Sequence, residues 1–264
     1  MKNPATILPS AQYKRKATIF SVLSIIVIGC CWFVEFNPFG FFSEFHFVQD
    51  LLSEMFPPNF EIIWDDNSMA MSILQTLSMA FLGTFYGGFV AIILSFLSAT
   101  PTMPIVWIRN LTKFMLSLIR VIPSLVIILI FVIAVGPGAF AGVLTLVITT
   151  IGTFGKLFTE TIDNTENPAG EAIFSVGSNR VQMIKYSIVP QILPSFIGNL
   201  LYAFDINMRA AIGLGIFGGG GIGYKLHMAM RVLHYKDATA LIALIIILVT
   251  IVEKISNTLR KKVI

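Results

Sequence analysis

Six runs of about 20 predominantly apolar residues recur along the chain, near 17–36, 69–98, 111–135, 138–162, 191–216 and 238–259. Each is long enough, at 1.5 Å rise per helical residue, to cross a hydrocarbon layer of about 30 Å. Backbone amides left unpaired in lipid are too costly to tolerate, so helices are the conformation such runs admit. Composition agrees. Of the 264 residues 56% are hydrophobic and 12% charged, with a mean hydropathy of +0.84, too little polar surface to clothe a water-soluble domain. The sequence predicts an all-α, polytopic membrane protein with about six transmembrane helices.

Charge placement orients the spans. Lys2, Lys14, Arg15 and Lys16 precede the first run, whereas the following segment carries Glu44, Asp50, Glu54, Glu61, Asp65 and Asp66 without a lysine or arginine. The positive-inside rule therefore puts the amino terminus in the cytoplasm. Arg109 and Lys113 fall in the second loop and Lys254, Arg260, Lys261 and Lys262 at the end, so six spans return both termini inside. One loop dissents: the fifth, external by this count, holds Lys225, Arg231 and Lys236 against Asp237, which opposes the rule or marks an anionic partner outside.

No small-x-small cleavage site follows Ile19–Phe36, so the first run reads as a retained anchor. Residues 1–68 then form an anchor helix with an acidic outer loop, and 69–264 the core. In that loop Phe45, Val48, Leu51, Leu52 and Met55 keep helical spacing until Pro57 and Pro58, which predicts a short helix on the membrane surface. It serves either as a packing element or as a contact for an external protein. Cys30 and Cys31, adjacent and alone, supply neither a disulfide framework nor a metal-ligand set.

Between the fourth and fifth runs lies a polar island, EAIFSVGSNRVQMIKYSIVP, from Glu171 to Pro190. Its first residues favour a short helix, Gly177 permits the left-handed turn that ends one, and a second periodic stretch starts at Asn179. Pro190 closes that stretch or starts the next element. Helix, tight turn, helix makes a firm knob with Glu171, Arg180 and Lys185 available to a partner.

This island resembles the cytoplasmic loop of the membrane subunits of ABC importers: glutamate and two alanines, three residues, glycine, nine residues, then isoleucine, any residue, leucine and proline. Glu171, Ala172, Gly177 and Pro190 match the pattern, while Ile173, Ser187 and Val189 depart from it. Through Ile119–Leu146 and Pro190–Gly223 the chain is similar to phosphonate ABC transporter permeases, over roughly its C-terminal two-thirds. The resemblance implies a type I importer permease of the bacterial inner membrane that forms a homodimer. It also implies cytoplasmic ABC ATPase subunits gripping 164–190 and an extracytoplasmic solute-binding protein. ATP and Mg²⁺ would then sit on the ATPase, with no cofactor on this chain. The cargo would be phosphonate or a related phosphorus oxyanion; a permease for another small solute, such as methionine, would keep the same loop.

Ionisable residues inside spans are the clues to what crosses, because each costs roughly 2.5–3.5 kcal/mol at mid-membrane. Asp205 and Arg209 stand four apart on one face of the fifth run and are expected to pair. Either they neutralise each other within the bundle, or Arg209 faces the path and offers an anion positive potential. Asn207 lies close by on another face. Lys156 and Glu160 repeat the four-residue spacing and are expected to form an interfacial salt bridge. Arg120 precedes Pro123, which should bend the third span; the arginine marks either that kink or the path wall.

The run LGIFGGGGIG places Gly218, Gly219, Gly220 and Gly221 together, where a helix must break or turn. A gate or re-entrant turn fits this position. Nucleotide binding does not, since no strand precedes the glycines and no P-loop lysine follows. No nucleophile elbow, metal cluster or basic aromatic patch appears, which argues against an enzyme, a metal site and nucleic-acid binding. A secondary transporter or channel would call for inverted repeats or further buried carboxylates.

Overall fold

The computed structural model describes residues 10–36, 40, 45–65, 68–165, 173, 175 and 177–263, and every regular element among them is helical. The chain divides into two units, Met1–Glu54 and Met55–Ile264. In the first, α1 (Ser10–Phe33) starts seven residues before the expected span, because Lys14, Arg15 and Lys16 are good helix formers that extend it. Its apolar side chains, Phe20, Ile25, Ile28 and Trp32 among them, are exposed on every side. The amphipathic α2 (Phe45–Met55) covers the predicted surface helix.

The second unit runs through α3 (Glu61–Asp65), α4 (Met69–Ser98), α5 (Val106–Val121), α6 (Ser124–Val135) and α7 (Ala139–Asp163). It continues with α8 (Arg180–Met183), α9 (Val189–Leu214), α10 (Gly221–Arg231) and α11 (Tyr235–Val263). At its centre α4 packs along α7. A Cβ added at Gly87 would fall 2.6 Å from the Thr150 Cβ and 2.9 Å from the Val147 carbonyl, so only glycine lets these two backbones approach. This is how helices associate in lipid, where close packing replaces the hydrophobic effect as the driving force.

Three buried clusters follow one another along α4. Met69 joins Ile222, Ala238 and Leu241 at its start. Met79 and Ala80 join Ile128, Leu146, Met208 and Leu214 in the middle. Ala91 and Ala99 join Phe158, Ile162, Met183, Ile188 and Phe196 at the far end. Within the last, Phe158 stacks on Phe196 with ring centroids 4.4 Å apart.

The third predicted span, 111–135, is two helices. α5 and α6 meet at 86° across Ile122 and Pro123. Proline lacks an N–H and forces the residue before it out of the helical region; Ile122 accordingly has ψ 120° and Pro123 ψ 139°. The expected bend is thus a right-angle break.

The fifth span also differs from expectation. Pro190 stands in the first turn of α9, as expected, but no break precedes it: α8, a π-helical turn over Ile184–Ile188 and α9 run on continuously. The wider turn, with the Val189 N–H donating to the Ile184 carbonyl, absorbs the missing donor and the bulk of the ring at Pro190.

Candidate functional site

The polar island is built onto the bundle from its second half. Glu171 and Ala172 lie outside the described residues. Gly177 has φ +84°, the left-handed turn its position requires. Asn179 caps α8 reciprocally: the Gln182 N–H donates to its side chain while its own N–H donates to Gln182 Oε1, both at 2.9 Å. Arg180 and Pro190 are exposed, and Lys185 lies over the Tyr186 ring, 5.2 Å from its centroid. Met183 and Ile188 are buried against Phe158 and Ile162 of α7 and Ala99 after α4. The loop is thereby packed onto the ends of α4 and α7.

In the last third of α9, Arg209 Nη1 lies 3.1 Å from Asp205 Oδ2, the pairing expected from their spacing. The structure adds a partner that sequence reasoning missed: Arg209 Nη2 donates to Glu253 Oε2 of α11 at 3.0 Å. A carboxylate inside the sixth apolar run was the available signal, though nothing local points it at Arg209. Two carboxylates now face one guanidinium. Asp205 is buried, its Oδ1 without a partner among the described residues, whereas the Arg209 and Glu253 side chains are 48% and 47% exposed. The Arg209–Glu253 contact is the more exposed of the two.

Asn207 turns to the opposite side and is buried. Its amide donates to Thr84 Oγ1 and Thr150 Oγ1, both at 2.9 Å, tying α4, α7 and α9 at one point. Arg120, exposed in the last turn of α5, stands beside the Pro123 break. Its backbone lies against Gly152 of α7, where a Cβ would come within 2.9 Å of the Arg120 nitrogen.

The expected Lys156–Glu160 bridge does not form. Lys113 Nζ instead pairs with Asp163 Oδ2 at 3.1 Å, and Asp163 Oδ1 accepts from the Thr100 N–H at 2.6 Å. Lysine four residues before glutamate is the weaker order on a helix, and the packing of α5 on α7 supplies Asp163 with a better cation from the neighbouring helix.

The glycine run is a tightly packed turn. Gly218, Gly220 and Gly221 have φ of +96°, +76° and +71°. The Gly221 and Ile222 N–H groups, at the start of α10, donate to Gln75 Oε1 and Thr76 Oγ1 of α4 at 3.3 and 2.9 Å. The fifth loop is correspondingly mostly helical, as α10.

A bundle of helices long and apolar enough to cross a membrane, broken at right angles beside an arginine, with a polar loop anchored in its core, is the architecture of a multi-pass membrane protein. The chain belongs to the family described as binding-protein-dependent transport system inner membrane component, which matches residues 91–261. It is 30% identical to a phosphite transport system permease protein of Stutzerimonas stutzeri, over 95% of this chain and 89% of that one. A phosphate-import permease protein of Mycolicibacterium smegmatis is 32% identical over 89% of this chain, which spans 43% of that protein's length. The fold is that of a bacterial alginate ABC transporter solved in complex with a periplasmic protein, with TM-score 0.62, 15% identity and coverage of 95% and 98%. The protein is thus a multi-pass inner-membrane permease component of an ABC importer.

Proposed function

We propose that this chain carries phosphonate, phosphite or a related phosphorus oxyanion from an external binding protein to the cytoplasm. The observation that carries the reading is its sustained similarity to a phosphite permease across nearly the whole chain. In this reading two copies pair as a homodimer around the path, and cytoplasmic ABC ATPase subunits grip 164–190 through Glu171, Ala172, Gly177, Arg180 and Pro190. ATP and Mg²⁺ are bound there and no cofactor by this chain. Both termini are cytoplasmic, in keeping with the basic residues before α1 and at the end of α11.

Closure of the ATPases on ATP pulls the loop, and through Met183 and Ile188 moves the ends of α4 and α7. The glycine turn at Gly218–Gly221 provides a hinge for the outer end. Arg120 and the exposed side of Arg209 line the path, the anion displacing Glu253 from the guanidinium while Asp205 holds it in place and Asn207 fixes α9 behind it. The test is ATP hydrolysis and solute uptake by the chain reconstituted with its ATPase and binding protein, comparing phosphonate, phosphite, phosphate and methionine. Stimulation by a phosphorus oxyanion, lost in Glu171→Ala and reduced in Arg120→Ala, is expected. Stimulation by methionine alone overturns the cargo, and normal uptake by a properly inserted Arg120→Ala protein overturns the path.

A further inference from the structure

Between α5 and α7, at the end of α7 from which the polar island departs, lies a groove of about 150 Å³ lined by Lys113, Ser117, Lys156, Thr159, Glu160 and Asp163. That volume takes several waters, or one small tetrahedral anion in their place. Its floor is Leu116, which Gly155 admits against α7.

Most of the polar capacity of the groove is already used. The Ser117 hydroxyl donates to the Lys113 carbonyl at 2.8 Å, and the Thr159 hydroxyl donates to the Gly155 carbonyl at 2.7 Å. Asp163 accepts from Thr100 and Lys113. Three capacities remain. Lys156 is half-buried and Glu160 exposed, and among the described residues neither has a hydrogen bond or ion pair. Lys113 keeps two ammonium hydrogens beyond the one given to Asp163.

A half-buried ammonium without a counter-ion is a standing cost that an anion relieves. A fully deprotonated anion would meet the Glu160 carboxylate as a like charge. An oxyanion that keeps one proton avoids this, because its hydroxyl donates to Glu160 while its charged oxygens accept from the lysines. Inorganic phosphate keeps at least one P–OH at neutral pH, and phosphite and phosphonates, whose second dissociation lies near neutrality, keep theirs in part; sulfate has none.

We propose that this groove binds a singly protonated phosphorus oxyanion, with Lys156 and Lys113 holding its P–O⁻ oxygens and Glu160 accepting from its P–OH. The proposal rests on the reading of the chain as an oxyanion importer and makes the groove the last station before release. The headgroup of a phospholipid offers the same tetrahedral phosphorus, but as a diester it has no hydroxyl for Glu160.

The test is binding of radiolabelled inorganic phosphate at neutral pH to the full-length chain in a phosphate-free sugar detergent, with sulfate and then phosphatidylglycerol as competitors. Lys156→Gln is expected to weaken binding about tenfold or more, and Lys156→Arg to restore it. Sulfate should compete poorly against the wild type and well against Glu160→Gln. Equal phosphate binding by the wild type and Lys156→Gln overturns the site, as does the absence of phosphate binding. Displacement of phosphate by phosphatidylglycerol at lower concentration than by phosphate itself makes it a lipid site and overturns the free oxyanion. Any of these results alongside intact phosphite uptake by the wild-type complex sinks the groove alone. Failure of wild-type uptake with every phosphorus oxyanion instead sinks the reading beneath it.

Discussion

The charged cluster on α9 and α11 and the charged groove between α5 and α7 are assembled from the same kinds of residue and end in opposite states. Around Arg209 a guanidinium is held between two carboxylates, one buried and one half-exposed. Around Lys156 a cation and an anion one helical turn apart stay separate, although a neighbouring pair, Lys113 and Asp163, closes. Helix packing explains the difference. The face of α11 that packs on α9 brings Glu253 to Arg209. The face of α5 that packs on α7 gives its lysine to Asp163 and offers Lys156 no carboxylate among the described residues. Paired charge is structural first and functional only by exchange; unpaired charge at an edge is free for a ligand.

Breaking the buried side of this comparison should have the largest effect. Arg209→Ala strands the Asp205 carboxylate and is expected to cost about 2–3 kcal/mol, discounted from the fully buried case because Arg209 is half exposed. Thermal unfolding in detergent measures it, and the double change Asp205→Asn with Arg209→Gln should recover most of the loss. Full stability in Arg209→Ala alone would dissolve the distinction.

A smaller effect is expected at Asn207→Leu, which removes two hydrogen bonds and leaves Thr84 its bond to the Ala80 carbonyl within its own helix. About 1 kcal/mol is expected, typical of interhelical hydrogen bonds in lipid. Smallest of all is Lys156→Gln, which should stay within about 0.5 kcal/mol of the parent in the same unfolding assay. That near-silence is the sharpest contrast with Arg209. A large loss of stability there would mean that Lys156 also serves the fold.

Much of the fold was legible because it is local. Apolar runs located the spans, the i, i+4 spacing paired Asp205 with Arg209, and Pro123 and Gly177 announced a break and a turn through their own backbone chemistry. Pro190 likewise marked the start of α9, but only the structure shows the π-turn that carries the chain into it without a break. The site was legible in part. The Asp205–Arg209 pair follows from a spacing, but Glu253 lies 44 residues from Arg209, and Thr84 lies 123 residues from Asn207.

The sequence by itself determined that this chain lives in a membrane as helices, which polar island interrupts them, and where proline and glycine stop them. Those outcomes follow from hydropathy and backbone sterics, which act over a few residues. The tertiary structure decided which charges meet, giving Asp163 to Lys113 and Glu253 to Arg209, and leaving Lys156 and Glu160 unpaired among the described residues. Such choices depend on which helix faces pack, and a pairing between helices carries no period that a linear reading can follow.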